Sequence, residues 1–190
     1  MTTPAEQSID VLAAALDQAG DVLAAVPADR LSAPTPCRDW DVAELVAHLI
    51  AGPRNFVLMS TGGRPDWSTR PPLPGDWAAE FRSGAEELVR RWREAGESAS
   101  PQSVDWQTAE FAIHTWDLAR ATGQTRPLEP QVAQRGLDFM SAALTPDNRG
   151  EVFGPARTVP EDAPVYDRLV AFAGRDPSWS ADGRTDGPAA

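Results

Sequence analysis

Apolar residues recur along this chain with the spacing of a helix. The first such stretch runs from about residue 5 to residue 26, and its apolar face consists of Ile9, Leu12, Leu16, Leu23 and Val26. Further stretches of the same period lie at about residues 42–60, 77–95, 103–121, 129–144 and, more briefly, 165–173. Because no period-two alternation of any length is present, we predict an all-α fold, an antiparallel four-helix bundle with extra C-terminal helical segments.

Capping and turn residues predict where several of these helices begin and end. Asp41 is followed three residues later by Glu44 and then by apolar residues, which is the pattern of a capping box at the start of the second helix. Gly123 is a natural stop for the fourth helix. The Pro- and Gly-rich residues 61–76 predict a long surface crossover. Four tryptophans at helical positions are predicted to fill the core: Trp40, Trp92, Trp106 and Trp116.

The composition limits the classes of function. The chain has 190 residues, a net charge of −11 and a pI of about 4.5. An acidic surface repels phosphate backbones and anionic lipid heads, so we expect neither nucleic-acid nor membrane partners. Cys37 is the only cysteine, which excludes an internal disulfide and a zinc–thiolate cluster. Because the N-terminus has no signal-peptide pattern and no run reaches the roughly 18 apolar residues of a spanning helix, we expect a cytoplasmic protein.

The chain has two histidines, and both fall on or beside the apolar face of a predicted helix. Glu110 and His114 are four residues apart, so they share one helix face and could meet a single ion. His48, on a facing helix, is the candidate third ligand. Two imidazoles and one carboxylate suit zinc with an open coordination position, and also iron(II). Zinc is the first choice, with nickel, iron and manganese left open, and hydrogen-bonded core histidines are the alternative to any metal site.

Several neighbouring residues are further candidates for the same site. Glu44 repeats the four-residue spacing before His48, but the capping box already explains it. Asp117 could accept the proton of the His114 ring, or it could be a solvated charge. Cys37 lies more than two helical turns before His48 in the sequence, which disfavours it as a ligand, and we predict an inert thiol there. Arg54 and Arg120 could bind a substrate carboxylate or could be surface charges.

Three blocks of the sequence resemble one known family. Residues 35–48 (Thr-Pro-Cys-Arg-Asp-Trp-Asp-Val-Ala-Glu-Leu-Val-Ala-His) are similar to the opening of the metal-binding domain of mycothiol-dependent maleylpyruvate isomerase and its relatives. Residues 110–123 (Glu-Phe-Ala-Ile-His-Thr-Trp-Asp-Leu-Ala-Arg-Ala-Thr-Gly) resemble the second motif of that family. Residues 153–160 and 167–177 resemble the tail of a branch of small actinobacterial proteins.

The resemblance implies a fold, ligands and a cosubstrate. The fold would be a four-helix bundle of the DinB-like superfamily, and His48, Glu110 and His114 would hold a divalent metal. Residues 1–150 would form the metal-binding bundle, residues 151–180 a tail packed on it, and residues 181–190 a disordered end. Enzymes of the family use low-molecular-weight thiols such as mycothiol, so the expected partners are a small thiol and an electrophilic substrate.

The resemblance leaves more than one function open. The isomerase has a separate C-terminal domain, whereas only roughly 40 residues follow the fifth predicted helix here, too few for such a domain. We therefore expect a thiol S-transferase more than an isomerase-like enzyme. A non-enzymatic metal-binding bundle, acting as a sensor or a partner-binding module, is the alternative function. The sequence leaves open the native metal, the electrophile and whether the chain forms a homodimer.

Overall fold

A computed structural model describes residues 2–38, 40–67, 72–149 and 153–181. Its α-helices are α1 (Pro4–Ala24), α2 (Val42–Ser60), α3 (Trp77–Ala95), α4 (Pro101–Ala121), α5 (Pro130–Ala143) and α6 (Val165–Phe172). Within the described ranges there is no strand, only an isolated bridge between Pro34 and Asp41. The all-α prediction is therefore confirmed. α4 begins earlier than predicted because proline at the first helical position needs no N–H partner.

The helices pack around one apolar core. α1 lies against α3 and α4, and α2 also lies against α3 and α4, so these four helices form the bundle. α5 packs on α4, and α6 packs mainly on α5. Every helix contributes buried side chains to this core, and the largest fully buried ones include Leu12, Leu45, Phe56, Phe81, Phe111, Leu118 and Leu169. The arrangement agrees with the predicted DinB-like bundle.

The predicted helix ends are confirmed at two places that matter for the site. Asp41 Oδ1 accepts a hydrogen bond from the Glu44 backbone N–H at 2.9 Å, and Glu44 Oε2 accepts one from the Asp41 N–H at 3.0 Å. The Glu44 carboxylate is thus used at the start of α2, as the capping box requires. Gly123 follows α4 with a φ of 69°, a conformation that glycine adopts without strain.

The tryptophan prediction is only partly right. Trp116 is buried, and Trp40 and Trp92 pack half-buried against the core. Trp106, however, is 38% exposed, because its side of α4 is left partly uncovered. Trp40 is not on a helix at all, since α2 begins two residues later.

α2 has a high mean hydropathy over its whole length, although no uninterrupted run of apolar residues in it is long enough to span a membrane. By length and composition alone it could cross a membrane, although half of its most apolar window is buried inside the bundle. The core helix of a soluble protein meets the same criteria. The buried side chains of α2 pack against α3 and α4, and this packing accounts for its hydropathy.

The chain after α5 returns along the bundle. The Arg149 guanidinium donates to the Phe172 carbonyl at 2.7 Å, and the Arg157 N–H donates to the Ala171 carbonyl at 2.9 Å. Gly174, with a φ of 85°, ends α6 and turns the chain back toward α4. The predicted boundary at residue 150 lies outside the described residues, as does the predicted disordered end apart from Ala181.

Candidate metal centre

The structure brings the three predicted ligands together between α2 and α4. His48 Nε2 lies 2.8 Å from Glu110 Oε1, and His114 Nε2 lies 3.3 Å from the same oxygen. One donor atom from each residue lies within 4.8 Å of the other two. Both histidines are largely buried, with exposed fractions of 9% and 8%. Two imidazoles from different helices therefore converge on one carboxylate oxygen.

Close helix packing produces this convergence. Glu110 and His114 are one turn apart on the same face of α4, as their spacing predicts. Gly52, one turn after His48, faces the Phe111 ring, and a Cβ at Gly52 would lie 3.1 Å from Phe111 Cε1. The missing side chain lets α2 approach α4 at the level of the site.

The donor set suits a divalent ion. Zinc binds imidazole nitrogen and carboxylate oxygen at about 2.0–2.2 Å in a tetrahedron, whose ligand atoms are then about 3.3–3.6 Å apart. The observed donor separations of 2.8 and 3.3 Å are close to that edge, so an ion needs shifts of only some tenths of an ångström. Three protein donors also leave one tetrahedral position for a small molecule.

The charges around the donors favour a cation. Burial works to raise the pKa of Glu110, but His114 and the hydrogen bonds from both histidines hold it well below its usual range. Burial likewise works against a charged His114, yet Glu110 and Asp117 raise the pKa of this histidine to about 9. Two carboxylates thus create a negative potential around the His114 ring.

Comparison with known proteins shows the family of this chain. The model of the mycothiol maleylpyruvate isomerase N-terminal domain matches residues 12–119, a span that contains all three converging residues. The chain belongs to this family. Two uncharacterized proteins of Mycobacterium tuberculosis, from strains CDC 1551 / Oshkosh and ATCC 25618 / H37Rv, are 30% identical to it over 180 residues. The alignments cover 85% of this chain and 93% of each relative. No solved structure gives a significant match.

The mycothiol maleylpyruvate isomerase N-terminal domain is a mycothiol-related, DinB-like domain, and the predicted family is therefore confirmed. The family is associated with a metal and with mycothiol. Its matched span ends before α5, so the family model does not cover the residues that follow. Among those later residues is one that reaches the site.

That residue is Arg175, which sequence reasoning missed. Its Nη2 lies 3.1 Å from Asp117 Oδ2, and the same oxygen lies 3.2 Å from His114 Nδ1. Asp117 has no exposed surface, so it is not a solvated charge. It contacts His114 on the ring nitrogen that faces away from Glu110, as the sequence allowed. The contact between residues 117 and 175 gives no periodic signal in the sequence; only the resemblance of the tail block to the family pointed to this segment.

Aromatic rings cover the two histidines. The Trp40 ring centroid lies 4.7 Å from that of His48 and 5.6 Å from that of His114, nearly parallel to the latter at 28°. Trp67, from the crossover, lies 5.8 Å from His48. These rings keep water from the imidazoles and hold their orientation. The sequence predicts Trp40 only as a core residue and gives no signal for its place beside both histidines.

Cys37 lies nearer the site than predicted, because it precedes α2 in a loop rather than in a helix. With His114 and Asp117 it forms a second group whose donor atoms lie within 4.8 Å of one another. Arg175 Nη2 lies 3.7 Å from Cys37 Sγ and also holds Asp117. Burial raises the pKa of the Cys37 thiol to about 12, which disfavours the thiolate form that binds metals. The group with His48 and Glu110 is therefore the better metal site.

The two arginines considered as carboxylate ligands have other contacts. Arg54 pairs with Glu80 on the surface. Arg120 donates to the Pro177 carbonyl at 2.7 Å and lies over the Trp116 ring. Neither contact directs the guanidinium to the converging ligands.

An apolar cleft opens beside Glu110. Its volume is about 240 Å³, and the described residues around it include Trp106, Ile113, Phe139, Met140 and Phe153. Glu110, which is 22% exposed, is the charged residue in this lining. The carboxylate therefore lies between the two histidines and an apolar space that could accept part of a small molecule.

Proposed function

We propose that this protein binds one divalent ion, with zinc the best candidate, through His48, Glu110 and His114. We further propose that it uses the ion as a thiol S-transferase with a low-molecular-weight thiol such as mycothiol. The observation that carries the proposal is the approach of His48 Nε2 and His114 Nε2 to Glu110 Oε1 from two different helices. Membership of a mycothiol-related family supports the choice of thiol.

The ion would supply one kind of chemistry: a thiol bound to it has a lowered pKa and is a nucleophile at neutral pH. The protein residues prepare the site for that chemistry. Asp117 accepts a hydrogen bond from the Nδ1–H of His114, so that Nε2 would be the nitrogen that donates its lone pair to a bound ion. Trp40 covers both imidazole rings and limits the access of water. The cleft beside Glu110 would accept the apolar part of the electrophile.

The transfer reaction balances without a further reactant. The thiol sulfur forms a bond to an electrophilic carbon of the substrate, and the bond from that carbon to its leaving group breaks. The thiol proton passes to the leaving group or to solvent. Because this reaction requires a reduced thiol, we place the protein in the cytoplasm.

The first experiment compares two glutamates that each precede a histidine by four residues. Wild type, Glu110→Gln and Glu44→Gln would be loaded with zinc, desalted and assayed for metal by elemental analysis. We expect about one zinc per chain for wild type and for Glu44→Gln, because Glu44 only caps α2. Glu110→Gln should lose most of the zinc, since the amide is a weak ligand. Wild type without stoichiometric zinc after loading would refute the metal proposal.

The second experiment tests the thiol. Wild type loaded with cobalt(II) in place of zinc would be titrated with mycothiol and, as a control, with its S-methylated form. Binding of the thiol to the ion should produce a new sulfur-to-cobalt absorption band that the methylated form does not give. A protein that holds the metal but shows no such band would be a non-enzymatic metal-binding bundle, and the transferase proposal would be wrong.

A further inference from the structure

The tail of this protein reaches the histidines of the proposed metal centre through the side chain of Arg175. Arg175 lies in the segment that follows α6, and it contacts Asp117 on α4, which in turn contacts His114. We infer that Arg175 is a positioning residue of the metal centre, which fixes Asp117 and thereby the ring of His114. The inference rests on the proposed metal site, and it concerns a residue beyond the span of the family model.

The Arg175 guanidinium contacts both carboxylate oxygens of Asp117. Its Nη2 lies 3.1 Å from Oδ2, and its Nε lies 3.4 Å from Oδ1. A guanidinium that binds a carboxylate through two nitrogens sets the orientation of that carboxylate as well as its charge. The side chains of the pair are 9% and 0% exposed, so water does not compete for these contacts.

The orientation of Asp117 determines which nitrogen of His114 faces the donors. Asp117 Oδ2 lies 3.2 Å from His114 Nδ1, and a carboxylate at this distance accepts a hydrogen bond from the Nδ1–H. The opposite nitrogen, Nε2, is the one that lies 3.3 Å from Glu110 Oε1. A carboxylate behind the ring of a ligating histidine fixes its tautomer and ring angle, and such partners commonly change metal affinity by 10- to 100-fold.

The backbone of the tail holds Arg175 in place. The Gly174 N–H donates to the Ala171 carbonyl at 3.0 Å, and the Arg175 N–H donates to the Val170 carbonyl at 2.8 Å. This pair of bonds is the Schellman motif, which ends α6 with a fixed turn. In addition, Arg175 Nη1 donates to the Ala173 carbonyl at 3.2 Å. The guanidinium is thus oriented before it meets Asp117, as positioning requires.

The test measures Zn²⁺ affinity by competition with a chromophoric chelator in wild type, Arg175→Gln and Arg175→Lys. We expect Arg175→Gln to weaken Zn²⁺ binding by about 10- to 100-fold, and Arg175→Lys to recover part of the loss because it keeps the charge. Arg157→Gln is the matched control: this tail arginine pairs with Asp176 on the surface, where the side chains are 45% and 40% exposed. The control should bind Zn²⁺ like wild type.

A merely structural role for Arg175 gives a different result. Urea unfolding of the zinc-free proteins would then show lower stability for Arg175→Gln, while the folded fraction would bind Zn²⁺ with wild-type affinity, and the inference would be wrong. The double variant Asp117→Asn/Arg175→Gln removes both buried charges and guards against failure of the single variant to fold. The single variant Asp117→Asn is measured beside it. If Arg175 acts through Asp117, the double variant loses no more affinity than Asp117→Asn alone. Additive losses would contradict the inference.

A second measurement does not depend on any metal. The His114 Nδ1 proton can be observed by NMR of protein labelled with nitrogen-15 in its two histidines. We expect a slowly exchanging Nδ1 proton signal in wild type and in Arg157→Gln, and its loss in Arg175→Gln. An unchanged signal in Arg175→Gln would overturn the inference. A wild type that shows this signal yet binds no Zn²⁺ would instead refute the proposed function, so the two failures are distinguishable.

Discussion

Gly174 gives the sharpest test of how the tail is held on the bundle. Its φ of 85° lies in the left-handed region, and a Cβ added there would lie 2.9 Å from both the Cα and the carbonyl oxygen of Gly154. Those contacts are with backbone, so they are relieved only if one segment moves. Gly174→Ala should therefore both strain the turn and push the tail away from its neighbour.

Two contributions set the expected loss in the free energy of unfolding. Alanine in the left-handed region costs about 1–2 kcal/mol relative to glycine, and overpacking of a close contact costs about 1–3 kcal/mol. The free energy of unfolding should thus fall by about 2–5 kcal/mol for Gly174→Ala. Gly123 is the matched control, because it ends α4 with the same pair of backbone bonds and a φ of 69°, but a Cβ there would meet nothing within 4 Å. Gly123→Ala should cost only about 1–2 kcal/mol.

Urea unfolding of zinc-free protein, followed by tryptophan fluorescence, measures both variants. The difference between the two losses isolates the contact with Gly154, and we expect it to be at least about 1 kcal/mol. Equal losses would refute the reasoning, since the close contact would then contribute nothing. We also expect weaker Zn²⁺ binding in Gly174→Ala than in Gly123→Ala, because only the former displaces Arg175.

Three further outcomes are expected. Tyr166→Phe should lower the free energy of unfolding by about 0.5–1.5 kcal/mol in urea, because Gln18 Nε2 loses its bond to the phenol oxygen, now 2.6 Å long; an unchanged midpoint would contradict this. At pH 8 Cys37 should react with a disulfide reagent at least about a hundredfold faster in guanidinium than in the folded protein, because burial raises its pKa to about 12. Zn²⁺ at about one hundred times its dissociation constant should stabilise EDTA-treated protein by about 2.7 kcal/mol, and no thermal shift would count against the metal site.

Features set by neighbours in sequence were predictable. The helices follow from the spacing of apolar residues, and the start of α2 follows from Asp41 and Glu44, because capping involves residues three positions apart. The pairing of Glu110 with His114 is equally local. Periodicity alone could not bring His48 to this pair, because helix spacing does not say which helices face each other. The family resemblance supplied that assignment.

Contacts between distant segments were not predictable in the same way. Arg175 contacts Asp117 across 58 residues of sequence, and no spacing or motif in the sequence links these two residues. Trp40 was assigned to the core because tryptophan is usually buried, whereas its ring covers two imidazoles. Cys37 lies beside His114 because it precedes α2 in a loop, where the helical rise does not apply. Each miss concerns how segments pack, which local patterns leave undetermined.

The buried Asp117 constrains other members of the family as well as this chain. A carboxylate without exposed surface needs a positive or hydrogen-bonding partner, since an unpaired buried charge is strongly destabilising. His114 can satisfy one oxygen, and in this protein Arg175 reaches both. The family model ends at residue 119, so it includes Asp117 but not Arg175. A relative with the aspartate must therefore either supply a tail arginine or hold the carboxylate by another group. In this protein the tail can therefore tune the proposed metal centre, whose three ligands lie on α2 and α4.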